Sequence, residues 1–188
     1  MTGPEFAELL RRVRSGDERG FAELWRRHQP LVLRYARVLT GDAADDVASE
    51  TWIAVVRSLD RFQGDEVNFR TWLMTICRHR AMDWGRGRQR NPIVLQEHEQ
   101  LDLSSTPAPD PATIVIDAMS ASEAVTLIER SLPPQQAEAV ILRSVIGLEV
   151  PEVARIMNKR AGAVRVLTHR GLRQLHQLMT QRADVELG

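Results

Sequence analysis

The side chains with the most chemical capacity in this chain are arginines, and their spacing suits gripping phosphates and base edges. Between residues 155 and 182 stand Arg155, Arg160, Arg165, Arg170, Arg173 and Arg182, with Lys159 and no acid. Val164, Leu167, Leu172 and Leu175 recur among them at helical spacing. One face of the helix is then apolar, and the other carries Arg165, His169, Arg170 and Arg173. A helix of this kind fits the DNA major groove, where guanidinium groups bond guanine edges and phosphates. Just upstream, Val150, Val153, Ala154, Ile156 and Met157 outline a shorter helix. Asn158 follows, a residue that tolerates the left-handed backbone a tight turn requires. Residues 148–175 therefore read as a helix-turn-helix. The small Ala154, Ala161 and Ala163 would let its two helices cross closely. A helical hairpin with a solvated basic face is the alternative that this spacing leaves open.

A second basic stretch carries Arg70, Arg78, Arg80, Arg86, Arg88 and Arg90 against Asp83 alone. The formal net charge is zero, so these arginines are balanced elsewhere. Asp42, Asp45, Asp46, Glu50, Asp60, Asp65 and Glu66 form one acidic block, and residues 97–129 hold another. Basic stripes suit a polyanion, whereas acidic blocks suit a basic protein surface. Other chemistry finds little support. Neither a phosphate loop nor a nucleophile–base pair stands out, so an enzyme is not expected. His98 and His176 lack partners at metal-ligand spacing, and no metal or cofactor is expected. Cys77 is the sole cysteine, which excludes an internal disulfide; among apolar neighbours it reads as an inert core thiol.

These side chains need elements to position them, and the elements read as helices throughout. Apolar residues recur at helical spacing, without the strict alternation of a strand. Asp17 is placed to cap a helix with Phe21, Leu24 and Trp25; Pro30 is expected to interrupt it and start another, ending at Gly41. A third helix follows a cap region at Asp42, with Val47, Trp52, Val55, Val56 and Leu59 on or near one face. The turn Phe62-Gln63-Gly64-Asp65 separates it from a fourth, carrying Phe69, Trp72, Leu73, Ile76 and Met82 towards Arg90. Prolines 92, 107, 109 and 111 with several acids then mark a tether. Helical pattern returns near Ala118, stops at Leu132-Pro133-Pro134, and resumes as one helix up to Gly147. The expected fold class is all-α: two small helical domains at residues 1–90 and 118–182, joined by a flexible linker at 91–117. No apolar run is long enough to span a membrane, and the N-terminus lacks a signal-peptide core, so a cytoplasmic protein is expected.

Several stretches carry a family resemblance. Leu132-Pro133, Gly147-Leu148, Glu152-Val153-Ala154, Gly162-Ala163-Val164 and His169-Arg170-Gly171 resemble region 4 of the extracytoplasmic-function (ECF) sigma factors, in the sigma-70 family of bacterial RNA polymerase. Phe21-Ala22-Glu23-Leu24, the run from Asp45 to Trp52, and Phe69-Arg70-Thr71-Trp72-Leu73 with Ile76, Arg78 and Asp83 resemble region 2 of that family. Together they cover about two thirds of the chain, in the family's order. The chain departs from the pattern at Ser49 (usually Gln), Glu149 (a Ser or Thr cap), Arg160 (Pro or Ser) and Asn158 (Gly).

The resemblance implies a specificity subunit that binds core RNA polymerase and directs promoter-specific initiation, with no catalytic site of its own. It implies a stress- or envelope-responsive regulon and an anti-sigma factor as partner. Asp45, Asp46, Ser49, Glu50 and Trp52 would dock on the polymerase clamp helices. Arg61, Phe62, Asn68, Trp72, Arg78, His79 and Arg86 would capture the melted −10 strand. Arg160, Arg165, Val166, His169, Arg170 and Arg173 would read the −35 duplex. Trp52 and Trp72 also sit at core spacing, and His79 reads equally as a surface histidine. A stand-alone helix-turn-helix repressor is the other reading, although a repressor needs neither the acidic helix nor the aromatic and basic one.

Overall fold

A computed structural model describes residues 3–88 and 120–186, which fall into two compact units. The expected linker at 91–117 and the expected helix start near Ala118 lie outside the described residues.

The first unit is built from α1 (Gly3–Arg14), α2 (Glu18–Thr40), α3 (Ala44–Ser58) and α4 (Glu66–Arg88). The sequence reading did not single out α1, yet Phe6, Leu9 and Leu10 bury its inner face. Asp17 caps α2 as expected, its Oδ1 accepting from the Arg19 N–H at 2.9 Å. Arg12 Nε donates to the other carboxylate oxygen at 2.8 Å, and this bond holds the Asp17 carboxyl below its usual range. Gly41, at φ 57°, ends α2 with its N–H on the Arg37 carbonyl.

Pro30 corrects one expectation, because α2 runs straight through it. A proline inside a helix removes one backbone bond and costs about 3 kcal/mol relative to Ala. Burial outweighs that loss, with Leu24 and His28 before Pro30 and Val32, Tyr35 and Ala36 after it all in the core. Asp42 is a second correction. It caps nothing; α3 starts without a side-chain cap after the turn Gly41–Ala43, and the Asp42 carboxylate lies 3.3 Å from Arg37 Nη1. A third concerns Val56, which is exposed and not part of the buried face of α3. The inner face of α3 is Val47, Ala48, Thr51, Trp52 and Val55. On α4 the buried apolar residues are Phe69, Leu73, Met74, Cys77 and Ala81, whereas Trp72, Ile76 and Met82 stay half-buried. Burial pushes the Cys77 thiol up to about 12, so it stays protonated at neutral pH.

The second unit contains α5 (Ala121–Ser131), α6 (Pro134–Val140), α7 (Val150–Met157) and α8 (Ala161–Glu186). Ser120 and Glu123 form a capping box on α5, each side chain satisfying the other's backbone N–H. The single helix expected from Pro134 to Gly147 is instead α6 followed by a π-helical turn, Ile141–Val145. The wider turn ends with the Ile146 N–H on the Ile141 carbonyl at 3.0 Å. It places Ile141, Leu142, Ile146 and Leu148 in the core ahead of α7.

Candidate nucleic-acid interface

In the second unit the turn between α7 and α8 depends on Asn158, whose backbone is left-handed at φ 52°, ψ 49°. Its N–H and that of Lys159 close the end of α7 on the carbonyls of Arg155 and Ala154, at 3.3 and 2.9 Å. Val153, Ile156 and Met157 from α7 are buried with Val164, Leu172 and Leu175 from α8. With that face inward, Arg160, Arg165, His169, Arg170 and Arg173 are all exposed, and Val166 is half-buried between them. The structure thus brings the six residues expected to read duplex DNA to the outer side of α8 and the turn before it.

Three features of this unit were not read from the sequence. Gly171 sits where α8 lies against α6: a Cβ there would come within 2.6 Å of Val140 Cγ2 and 3.2 Å of Leu132 Cδ1. Gln174 Nε2 donates to the Ser131 carbonyl at 2.7 Å, pinning α8 to the end of α5. Arg143, on the π turn, donates to the Leu148 carbonyl and reaches the Glu149 carboxylate at 3.0 Å. Glu149 therefore braces the entry to α7 without capping it, which accounts for an acid where a Ser or Thr cap would be typical. Only the glycine carried a readable signal, as a small residue within an apolar stripe.

In the first unit, Asp45, Asp46, Ser49 and Glu50 are exposed along α3, with the Ser49 hydroxyl donating to the Asp45 carbonyl at 2.9 Å. Trp52 does not join that surface. It is only 6 % exposed, with its Nε1–H donating to Gln29 Oε1 at 2.6 Å and Phe21 edge-on at 6.0 Å.

The residues expected to capture a single strand divide by depth. Arg61, Asn68, His79 and Arg86 are exposed; Trp72 and Arg78 are half-buried. Phe62 is 7 % exposed, and belongs to an aromatic cluster with Phe69 at 5.4 Å and Trp72 at 5.0 Å between ring centroids. Phe62 thus serves as floor more than as an open stacking platform. Trp72 and His79, together with Glu50, Ile53, Arg57 and Arg80, line a groove of about 300 Å³ between α3 and α4. Arg86 is drawn to Asp83 at 2.5 Å, and Arg78 Nη1 contacts Met82 Sδ at 3.3 Å.

The loop joining α3 to α4 is held from both ends. Asp65 Oδ1 accepts from the Asn68 N–H at 2.8 Å and from its Nδ2 at 2.9 Å. Gly64 adopts φ 140°, and a Cβ there would lie 2.7 Å from Asn68 Cβ, so only glycine fits. Arg14, at the end of α1, donates to the carbonyls of Leu59 and Phe62. No local pattern could have signalled that bond, since its partners are 45 and 48 residues away.

Two helical units, one carrying a helix-turn-helix with a cationic outer face, define a DNA-binding protein of the helix-turn-helix class. Comparison with known proteins narrows the class. Residues 24–91 match the family description Sigma-70 region 2, and residues 123–175 match Sigma-70, region 4. The chain is 30% identical over 194 residues to the ECF RNA polymerase sigma factor SigD of Mycobacterium tuberculosis, covering 98% of this chain and 88% of SigD. It is 32% identical over 174 residues to the ECF RNA polymerase sigma factor BldN of Streptomyces coelicolor, covering 92% of this chain and 65% of BldN. Among solved structures, CnrH in complex with the cytosolic domain of CnrY matches with a TM-score of 0.60 at 21% identity, covering 94% of this chain and 97% of CnrH. RpoE of Bartonella quintana, in complex with the anti-sigma factor NepR, matches with a TM-score of 0.62 at 21% identity, over 85% of this chain and 96% of RpoE. The chain belongs to the ECF group of the sigma-70 family of RNA polymerase sigma factors. Among the described residues no helix is long and apolar enough to cross a membrane.

Proposed function

We propose that the chain binds core RNA polymerase and directs it to a defined set of promoters in the cytoplasm, contributing specificity and no chemistry of its own. The observation that carries this reading is the division of labour between the two units. One presents Arg165, His169, Arg170 and Arg173 outward from a helix-turn-helix; the other presents Asp45, Asp46 and Glu50 beside a groove with Trp72 and His79. The cationic face reads the −35 duplex, with Arg160 and Val166 at its margin. The acidic face of α3 docks on a basic surface of core polymerase, where complementary charge speeds association. Arg61, Asn68, Trp72, Arg78, His79 and Arg86 hold the melted −10 strand, stacking bases and bonding phosphates. Phe62 and Trp52 support these surfaces from beneath. An anti-sigma factor holds the protein inactive until a stress or envelope signal releases it; the Bartonella RpoE relative was solved with such a partner.

The test is co-purification with core polymerase followed by run-off transcription from promoters pulled down by the holoenzyme. Binding to core with defined start sites is expected. A chain that shifts duplex DNA yet neither binds core nor starts transcripts would be a repressor.

A further inference from the structure

His28 is a buried polar group that neither surface uses. Its side chain is 1 % exposed in the middle of α2, edge-on to the Phe69 ring at 5.0 Å. The Nδ1–H donates to the Leu24 carbonyl at 2.8 Å, so the neutral ring carries its lone pair on Nε2. That nitrogen has no hydrogen-bond partner and lies 4.0 Å from Glu66 Oε1, at the first turn of α4. The same Glu66 oxygen accepts from Arg27 Nε at 3.0 Å. Phe69, which His28 supports, also packs on Phe62 and Trp72, so the ring lies beneath the loop that opens α4.

We propose that His28 is a proton-sensitive keystone: neutral, it holds the start of α4 and the loop at 62–65 against α2, and protonated, it loosens them. An imidazolium in this position would be a nearly dry cation whose nearest counter-charge is already shared with Arg27. Among the described residues, the charges acting on the ring are Glu66 and Arg70 from α4 and Arg27 from its own helix. Burial is the largest influence and holds the proton affinity of His28 below the usual histidine range; the Leu24 carbonyl and Glu66 pull the other way. A histidine with a lowered folded-state value contributes its stability above the unfolded value of about 6.5. The contribution is lost as pH falls from there through the lowered folded value. Glu66 limits the loss, so removing its charge steepens the response.

The experiment is amide hydrogen exchange of the full chain by NMR at pH 7.5 and 5.5, corrected for intrinsic exchange. The Phe62 and Phe69 amides, bonded to the Leu59 and Asp65 carbonyls, report the loop; the Val164 amide, on the Arg160 carbonyl, is the control. Protection of the two loop amides is expected to fall about threefold or more at the lower pH while the control holds. In Glu66→Gln the fall is larger, and in His28→Phe or His28→Gln it disappears. A wild-type loop that keeps its protection, or loses it equally in both His28 variants, overturns the proposal. Should both His28 variants unfold, a Glu66→Gln fall no larger than the wild type's overturns it. The bearing on strand capture rests on the function proposed above. The exchange measurement needs no DNA, so it can fail or succeed independently of that function.

Discussion

Gly171 shows how a single missing methyl group can set a helix contact. An Ala at this point in α8 would gain about 1 kcal/mol of helix propensity. Its Cβ would also press to 2.6 Å of Val140 Cγ2, on a fully buried side chain. Overpacking of this kind typically costs about 1–3 kcal/mol, so steric strain outweighs propensity. Gly171→Ala should therefore lower the urea midpoint of the second unit, followed by circular dichroism; a rise would show that Val140 yields. Cys77 gives a simpler prediction at the same scale. With its thiol pushed up to about 12 and its side chain buried, it should resist a thiol-reactive disulfide at pH 8 and react promptly in denaturant. The burial of Cys77 was legible in the sequence from its apolar neighbours. The role of His28 was not: nothing in a linear pattern shows which charges will face a ring once α2 and α4 are packed.

Among the elements, the helix-turn-helix was the most readable, since both helices and their turn are encoded locally. Asn158 occupies the left-handed position expected of it, and the period of Val164, Leu172 and Leu175 gives the inner face of α8 directly. Exchanging Asn158 for Val forces a β-branched side chain into that conformation, at a cost of about 1–2 kcal/mol or more. Asn158→Val should lower both thermal stability and duplex binding, whereas Asn158→Gly should preserve both; equal behaviour of the two variants in a melt and a gel shift would contradict this. The elements that misled are those decided by distant packing. Pro30 has the local signature of a break, yet the buried residues on both sides of it keep α2 continuous. The π turn at Ile141–Val145 has no local signature, because its extra residue serves to place Ile146 and Leu148 in a core made by other helices. α1 was missed although Phe6, Leu9 and Leu10 have helical spacing, a pattern too short to separate from an unstructured terminus.

Over the whole molecule, charge is sorted so that one neutral chain can meet partners of opposite sign. Acids gather on α3 and arginines on α8, in different compact units, and changes at the two should act independently. Asp46→Arg is expected to weaken affinity for core polymerase and leave duplex binding by the chain unaltered. Arg165→Ala is expected to do the reverse, weakening −35 recognition by about 1–3 kcal/mol if the lost contact reads a base. Titration of each variant against core enzyme and against promoter duplex separates the two; a shared defect in both assays would mean that the surfaces are not separate. The order of regions and the two-domain plan were visible in the sequence, as was the sign of each surface. The depth of the aromatic side chains was not, since Trp52 and Trp72 both sit at core spacing, yet Trp52 is buried and Trp72 only half-buried.

The bond from Arg14 to the carbonyls of Leu59 and Phe62 has a consequence for where the working unit begins. The match to Sigma-70 region 2 starts at residue 24, but the loop that precedes α4 is tied to a helix that ends at residue 14. A fragment trimmed to that match would keep the residues proposed to hold DNA and lose both that tie and the Phe6 ring beneath Phe69. The N-terminal helix thus works as a splint. A protease nick in the exposed Ser15–Gly16 joint should leave every family motif intact and still blunt promoter melting.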